Sequence, residues 1–125
     1  MTSRVILTAS DGAYVIALPV FETNLIRESL RLIPQLQISS ARMLVQFGFE
    51  KSELNEMGKR LDPAVTTGAK LTVTDRELRM IYLVLWQVPE MFGTEEAFHI
   101  RLGFFTEQAR ALARVLLATV DRVAQ

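Results

Sequence analysis

The stretch IALPVFETNLIRESLRLIP (residues 16–34) reappears 55 positions further on as LTVTDRELRMIYLVLWQVP (residues 71–89). Extended without a gap, Ile16–Leu61 lies on Leu71–Leu116. Identities fall at Glu22/Glu77, Ile26/Ile81, Leu30/Leu85, Pro34/Pro89, Gly48/Gly103, Phe49/Phe104 and Leu61/Leu116. Apolar character is kept at Ile16/Leu71, Leu25/Met80, Ile33/Val88, Met43/Phe98, Val45/Ile100, Phe47/Leu102 and Met57/Leu112. A period of this kind marks a duplicated structural unit and sets the fold before any single element is read. The shared positions are apolar or turn-forming, apart from one glutamate and the basic pair Lys59/Arg114. They describe a scaffold, not a chemistry.

Working outward, Arg4–Ala9 and Ala13–Val20 are rich in apolar and β-branched residues around Ser10-Asp11-Gly12. Asp-Gly suits a tight turn, because glycine takes positive φ without strain, so this reads as a β-hairpin. Pro19 limits the second strand. In Glu22–Ile33, Leu25, Ile26, Leu30 and Ile33 follow helical spacing, and Pro34 is expected to end the helix. The equivalent helix opens on a capping box, Thr74 with Glu77, carries Leu78, Ile81, Leu85 and Val88 as a stripe, and closes at Pro89. Met43–Gly48 and Phe98–Gly103 place large apolar residues at every second position in both copies, which predicts strands. Gly48 and Gly103, at the same place in each copy, imply a positive φ at the exit. A last helix follows each, with Ser52 and Thr106 as expected N-caps. The expected fold is α+β: two tandem βαβα repeats sharing one core about a pseudo-twofold axis, plus an extra N-terminal strand. Asp62–Gly68 is the linker, and residues 1–125 form a single domain.

Composition narrows the function classes. The 14 basic and 14 acidic residues balance, and each half is balanced too, so no cationic surface for a phosphate backbone is visible and no nucleic-acid partner is expected. Ala41–Leu61 has a superficial helix–turn–helix look. A recognition helix there would present Glu50, Glu53 and Glu56 to phosphates. The chain has no cysteine, which removes disulfides and thiolate metal sites. Its one histidine and scattered carboxylates predict no metal and no cofactor. Met80–Trp86, the longest apolar run, is too short to cross a bilayer, and no secretion signal is visible, so a cytoplasmic protein is expected.

Candidate functional residues are few. His99 and Arg101 share the face of their element opposite Phe98 and Ile100. No nucleophile or carboxylate motif accompanies them, so no catalytic residue is assigned. Tyr82 and Trp86 stand four apart on a helix that is apolar on every side, which calls for burial on more than one side. In a chain this small, a second protein is expected to cover part of it.

The second repeat, with LTVTDREL, VLWQV before a proline, FHIRLGF and TEQARALARVL, resembles small uncharacterised bacterial immunity-like proteins from toxin neighbourhoods. The usual pattern carries a polar pair, often asparagine and glutamate, where this chain has Trp86 and Gln87. The resemblance implies a non-enzymatic protein that binds another protein and brings no catalytic residues with it; a contact carried by the polar pair has no counterpart at Trp86 and Gln87. The residues expected at a partner contact, Tyr82, Trp86, His99 and Arg101, come from the chain's own pattern, as does the expectation of a homodimer. The alternative from the residues alone is a small enzyme or ligand-binding protein with a pocket at the pseudo-twofold interface, using His99 and Arg101.

Overall fold

Three strands and six α-helices make up the computed structural model, which describes residues 5–10, 12–92 and 95–124. Strands β1 (Ile6–Ser10) and β2 (Ala13–Leu18) form the expected hairpin, with Gly12 at φ 80° in its turn. Arg4 and Asp11 lie outside the described residues. Pro19 ends β2 and serves as N-cap of α1 (Val20–Gln35). Then come α2 (Ser40–Phe47), α3 (Lys51–Leu61), β3 (Ala69–Thr74), α4 (Asp75–Gln87), α5 (Glu95–Leu102) and α6 (Thr106–Ala124).

The fold is α+β, with one antiparallel sheet in the order β1-β2-β3. The pairing of β2 with β3 sets Ile16 opposite Leu71. These two residues are also equivalent in the 55-residue repeat. An antiparallel pair in which equivalent positions face one another has a local twofold axis between them. Buried residues from both halves, among them Ile16, Leu30, Ile33, Met43, Phe47, Ile81, Val84, Leu85 and Phe98, join in one cluster. Helices α1 and α4, the equivalent pair nearest the axis, pack against each other.

The expected strands at Met43–Gly48 and Phe98–Gly103 are helices, so the βαβα unit is corrected to βααα. The boundaries keep register: Ser40 and Phe47 of α2 correspond to Glu95 and Leu102 of α5, and Lys51 of α3 to Thr106 of α6. The alternation misled because Met43 with Phe47, and Phe98 with Leu102, are also one helical turn apart. Val45 decides between the readings. A strand facing the core would bury it, yet it is 89% exposed, while Met43 and Phe47 are buried. Ser39 starts α2 by accepting the Arg42 N–H at 3.0 Å.

Pro34 lies inside the last turn of α1, while Pro89 falls in the short 3₁₀ turn Val88–Met91 beyond α4. Ser52 is not a cap: α3 is capped by Glu50, whose N–H donates to the Glu53 carboxylate at 2.8 Å. In the second copy Thr106 is the first helical residue, and Gln108 accepts the Phe105 N–H at 2.7 Å, repeating the Glu53 contact with a neutral side chain. The linker contains the 3₁₀ turn Asp62–Ala64. Buried Thr23 ties it down, donating to Pro19 O at 2.8 Å and accepting the Ala69 N–H at 3.2 Å.

Gly48 and Gly103 have φ of 78° and 79°, and an added Cβ would meet nothing within 4 Å at either. The penalty of a side chain there is therefore backbone strain alone. Gly48→Ala and Gly103→Ala should each lower stability by about 1 kcal/mol, read from urea denaturation midpoints.

Candidate functional site

Two grooves are bordered by positions 55 apart in the sequence. One lies between α4 and α3, with a volume of about 420 Å³, and is bordered by Met80, Glu77, Met57, Arg60, Glu53 and Glu56. The other lies between α1 and α6, with about 830 Å³, and is bordered by Leu25, Glu22, Leu112, Val115, Gln108 and Ala111. Taken in that order, each residue of the second set is the repeat equivalent of its counterpart in the first. The larger groove has a third wall, Val5 with Ile6 and Leu7 at the start of β1, which has no counterpart in the smaller one.

The two grooves differ in charge. In the α3/α4 groove, Arg60 pairs with Glu77 at 2.7 Å and donates to Thr72 O at 2.7 Å. Arg76 pairs with Glu53 at 3.1 Å and lies over the Phe49 ring at 4.5 Å. Glu77 also accepts the Thr74 N–H at 2.9 Å, and Thr74 accepts the Glu77 N–H at 3.1 Å, which completes the predicted capping box. These charged groups thus find their partners within the chain.

In the α1/α6 groove the glutamate is kept and its partners are gone. Pro19 stands where Thr74 is and has no N–H to offer. Val115 stands where Arg60 is, and Phe21 where Arg76 is. Glu22 Oε1 is shut off from water without a hydrogen-bond partner. Leaving such an oxygen unmatched costs about 1–3 kcal/mol. Arg122 borders the far end of the groove and donates to Thr119 Oγ1 at 3.3 Å instead.

Of the residues expected to bind a partner, Trp86 is exposed and Tyr82 half-buried, and their rings stack at 6.4 Å between centroids, 9° from parallel. The Arg110 guanidinium stands over the Trp86 ring at 5.4 Å. His99 stacks on Phe105 at 4.2 Å, and its Nδ1 lies 3.4 Å from Phe104 O. Arg101 reaches away to Gln35 Oε1 at 3.3 Å. Neither His99 nor Arg101 borders either groove. Most of the apolar surplus on α4 is absorbed inside: Leu78, Met80, Ile81, Val84 and Leu85 are buried.

Sequence reasoning missed Glu22 and the exposed pair Leu44 and Val45. The signal for Glu22 was present, since one identical glutamate sits among non-equivalent neighbours, Pro19 against Thr74 and Val115 against Arg60. Among the described residues no three His, Cys, Asp or Glu side chains are grouped as a metal site, and no helix is long and apolar enough to cross a membrane. Comparison with protein-family models, with curated proteins and with solved structures finds no match.

Two expectations follow. Glu77→Ala removes a cap contact and an ion pair and should cost about 1 kcal/mol or more, whereas Glu22→Ala should stay within about 0.5 kcal/mol of the parent or exceed it. Chemical denaturation of both variants separates the two glutamates. The second concerns acid. The Glu50 N–H, and after it the Arg76 guanidinium, hold the Glu53 carboxyl below the ordinary glutamate range. A carboxyl depressed on folding stabilises above its unfolded-state pKa, and that contribution fades as pH falls through its folded value. Glu53→Gln should therefore lose stability at neutral pH and converge on the parent in acid, read as Tm against pH.

Proposed function

We propose that this chain is a non-enzymatic protein-binding protein of bacterial, immunity or antitoxin type, which blocks another protein by covering its active surface. The observation that carries the reading is the set of large apolar side chains left at the surface of α2 and α4: Leu44, Val45 and Trp86, the last 38% exposed. Gln87 Nε2 donates to Gln46 O at 3.0 Å and ties the two helices together. Trp86 is held between Tyr82 and Arg110, so little side-chain freedom is lost when it is covered. Such an anchored aromatic is the usual centre of a protein–protein contact. The resemblance of the second repeat to immunity-like proteins points the same way, and a cytoplasmic setting without a cofactor suits it. The same surface supports a homodimer.

Helix α2, the turn at Gly48 and α3 form a helix–turn–helix, and α5, Gly103 and α6 form a second. That frame alone does not read DNA. The exposed side of α3 carries Glu56 beside Lys59, and Arg60 is already held by Glu77, so the cationic surface that phosphates demand is not built there. The alternative, a small enzyme or ligand-binding protein with a pocket at the pseudo-twofold interface, would use His99 and Arg101, whose observed contacts are with Phe105 and Gln35.

Trp86→Asp and Val45→Asp change exposed positions and should leave the fold intact. Each should shift a dimer toward monomer in light scattering at micromolar concentration, or release the protein that co-purifies from the native host. A parent that is monomeric and brings down no partner, or a partner retained by both variants, would sink the proposal.

A further inference from the structure

We infer that the groove between α1 and α6 binds a small organic monoamine with an apolar body, its ammonium group paired with the Glu22 carboxylate. The inference does not rest on the partner-binding reading, since none of the residues involved belongs to the Trp86 surface.

The duplication itself shows what this glutamate needs. In the α3/α4 groove the equivalent Glu77 is met by a cation, the Arg60 guanidinium, at 2.7 Å. In the α1/α6 groove the same position on the opposing helix is Val115, and the other partner of Glu77, the Thr74 N–H, is replaced by the imide nitrogen of Pro19. The chain thus keeps a carboxylate that borders an open groove, with Oε1 unmatched, and removes both groups that would have satisfied it. An external donor restores the balance, and a cationic donor does so most strongly. The two carboxylate oxygens share the charge, so an ammonium that reaches the half-buried Glu22 from the groove pairs with the group as a whole, as Arg60 does with Glu77.

The remaining walls define the rest of the ligand. Leu25, Leu112 and Val115 line the groove, and Phe21 and Ile6 stand exposed at its rim. An alkyl or aryl body buried among them leaves water as its head reaches Glu22. A volume of about 830 Å³ lies within the range of small-molecule sites. Arg122 sets the charge pattern. It lies two helical turns beyond Val115, about 10 Å along α6, so a second ammonium at the far end would meet a like charge. The site therefore selects one cationic head and rejects diamines and polyamines.

The test uses hexylammonium, 1-hexanol and 1,6-hexanediammonium with the full chain, read by thermal shift and by amide chemical shifts at Leu25 and Leu112. Hexylammonium should raise Tm with dose. The neutral alcohol and the diamine should each bind at least about tenfold more weakly, the scale expected when a charge-assisted hydrogen bond is removed or a like charge opposes it. Glu22→Gln, which keeps the side-chain shape, should lose at least about tenfold in affinity for the amine. Val115→Arg should recreate the Arg60–Glu77 arrangement, raise Tm without ligand and abolish the response to the amine. The inference is overturned if hexanol matches hexylammonium, if Glu22→Gln binds the amine unchanged, or if the amine produces no shift up to ~10 mM, a weak limit for a ligand of this size.

Discussion

The pairing of Ile16 with Leu71 is the contact on which the rest of this molecule depends. Each is the repeat equivalent of the other, and setting them face to face in an antiparallel ladder obliges the two halves to follow a local twofold. From that follow the meeting of α1 with α4, the joint core, and the two grooves in which each half lends its third helix to the first helix of the other. Strand β2 finds β3 only across the 55-residue period, so the sheet itself joins the two halves. A half of this size is near the limit at which a lone core suffices.

Symmetry of backbone, combined with divergence of side chains, is what separates the grooves. One has been closed with charge, through Arg60, Arg76, Glu53 and Glu77. The other has been emptied of partners and widened by β1, which has no counterpart across the axis. The retained Glu22 is informative because its twin shows, within one chain, the environment that such a glutamate accepts.

Much of the fold is legible in the sequence, for identifiable reasons. The Asp-Gly hairpin, the Thr74/Glu77 capping box and the paired glycines each state a local backbone requirement that no distant residue alters. The repeat shows which segments are equivalent even where their secondary structure is misleading. Met43–Phe47 misleads because residues four apart satisfy both a strand face and a helix face. The arbiter is Val45, whose exposure is decided by packing and not by its own identity. Of the exposed apolar side chains, Trp86 stands out in the sequence, whereas a strand reading buries Val45 with Met43 and Phe47. Alternation groups His99 with Arg101, and once their segment is a helix that alternation no longer places them together. In the sequence Glu22 is only a mark of duplication, since its interest lies in what its neighbours across the groove have become.

Because β1 extends the sheet on one side, β3 ends it on the other, and among the described residues no strand pairs with its outer backbone. Such an edge invites another chain to continue the sheet. Arg60 occupies the Thr72 carbonyl, and Lys70 stands exposed on the same strand. Charge of this kind on an edge opposes the docking of a neighbouring strand, an effect that matters most in the crowded interval when newly made chains fold side by side.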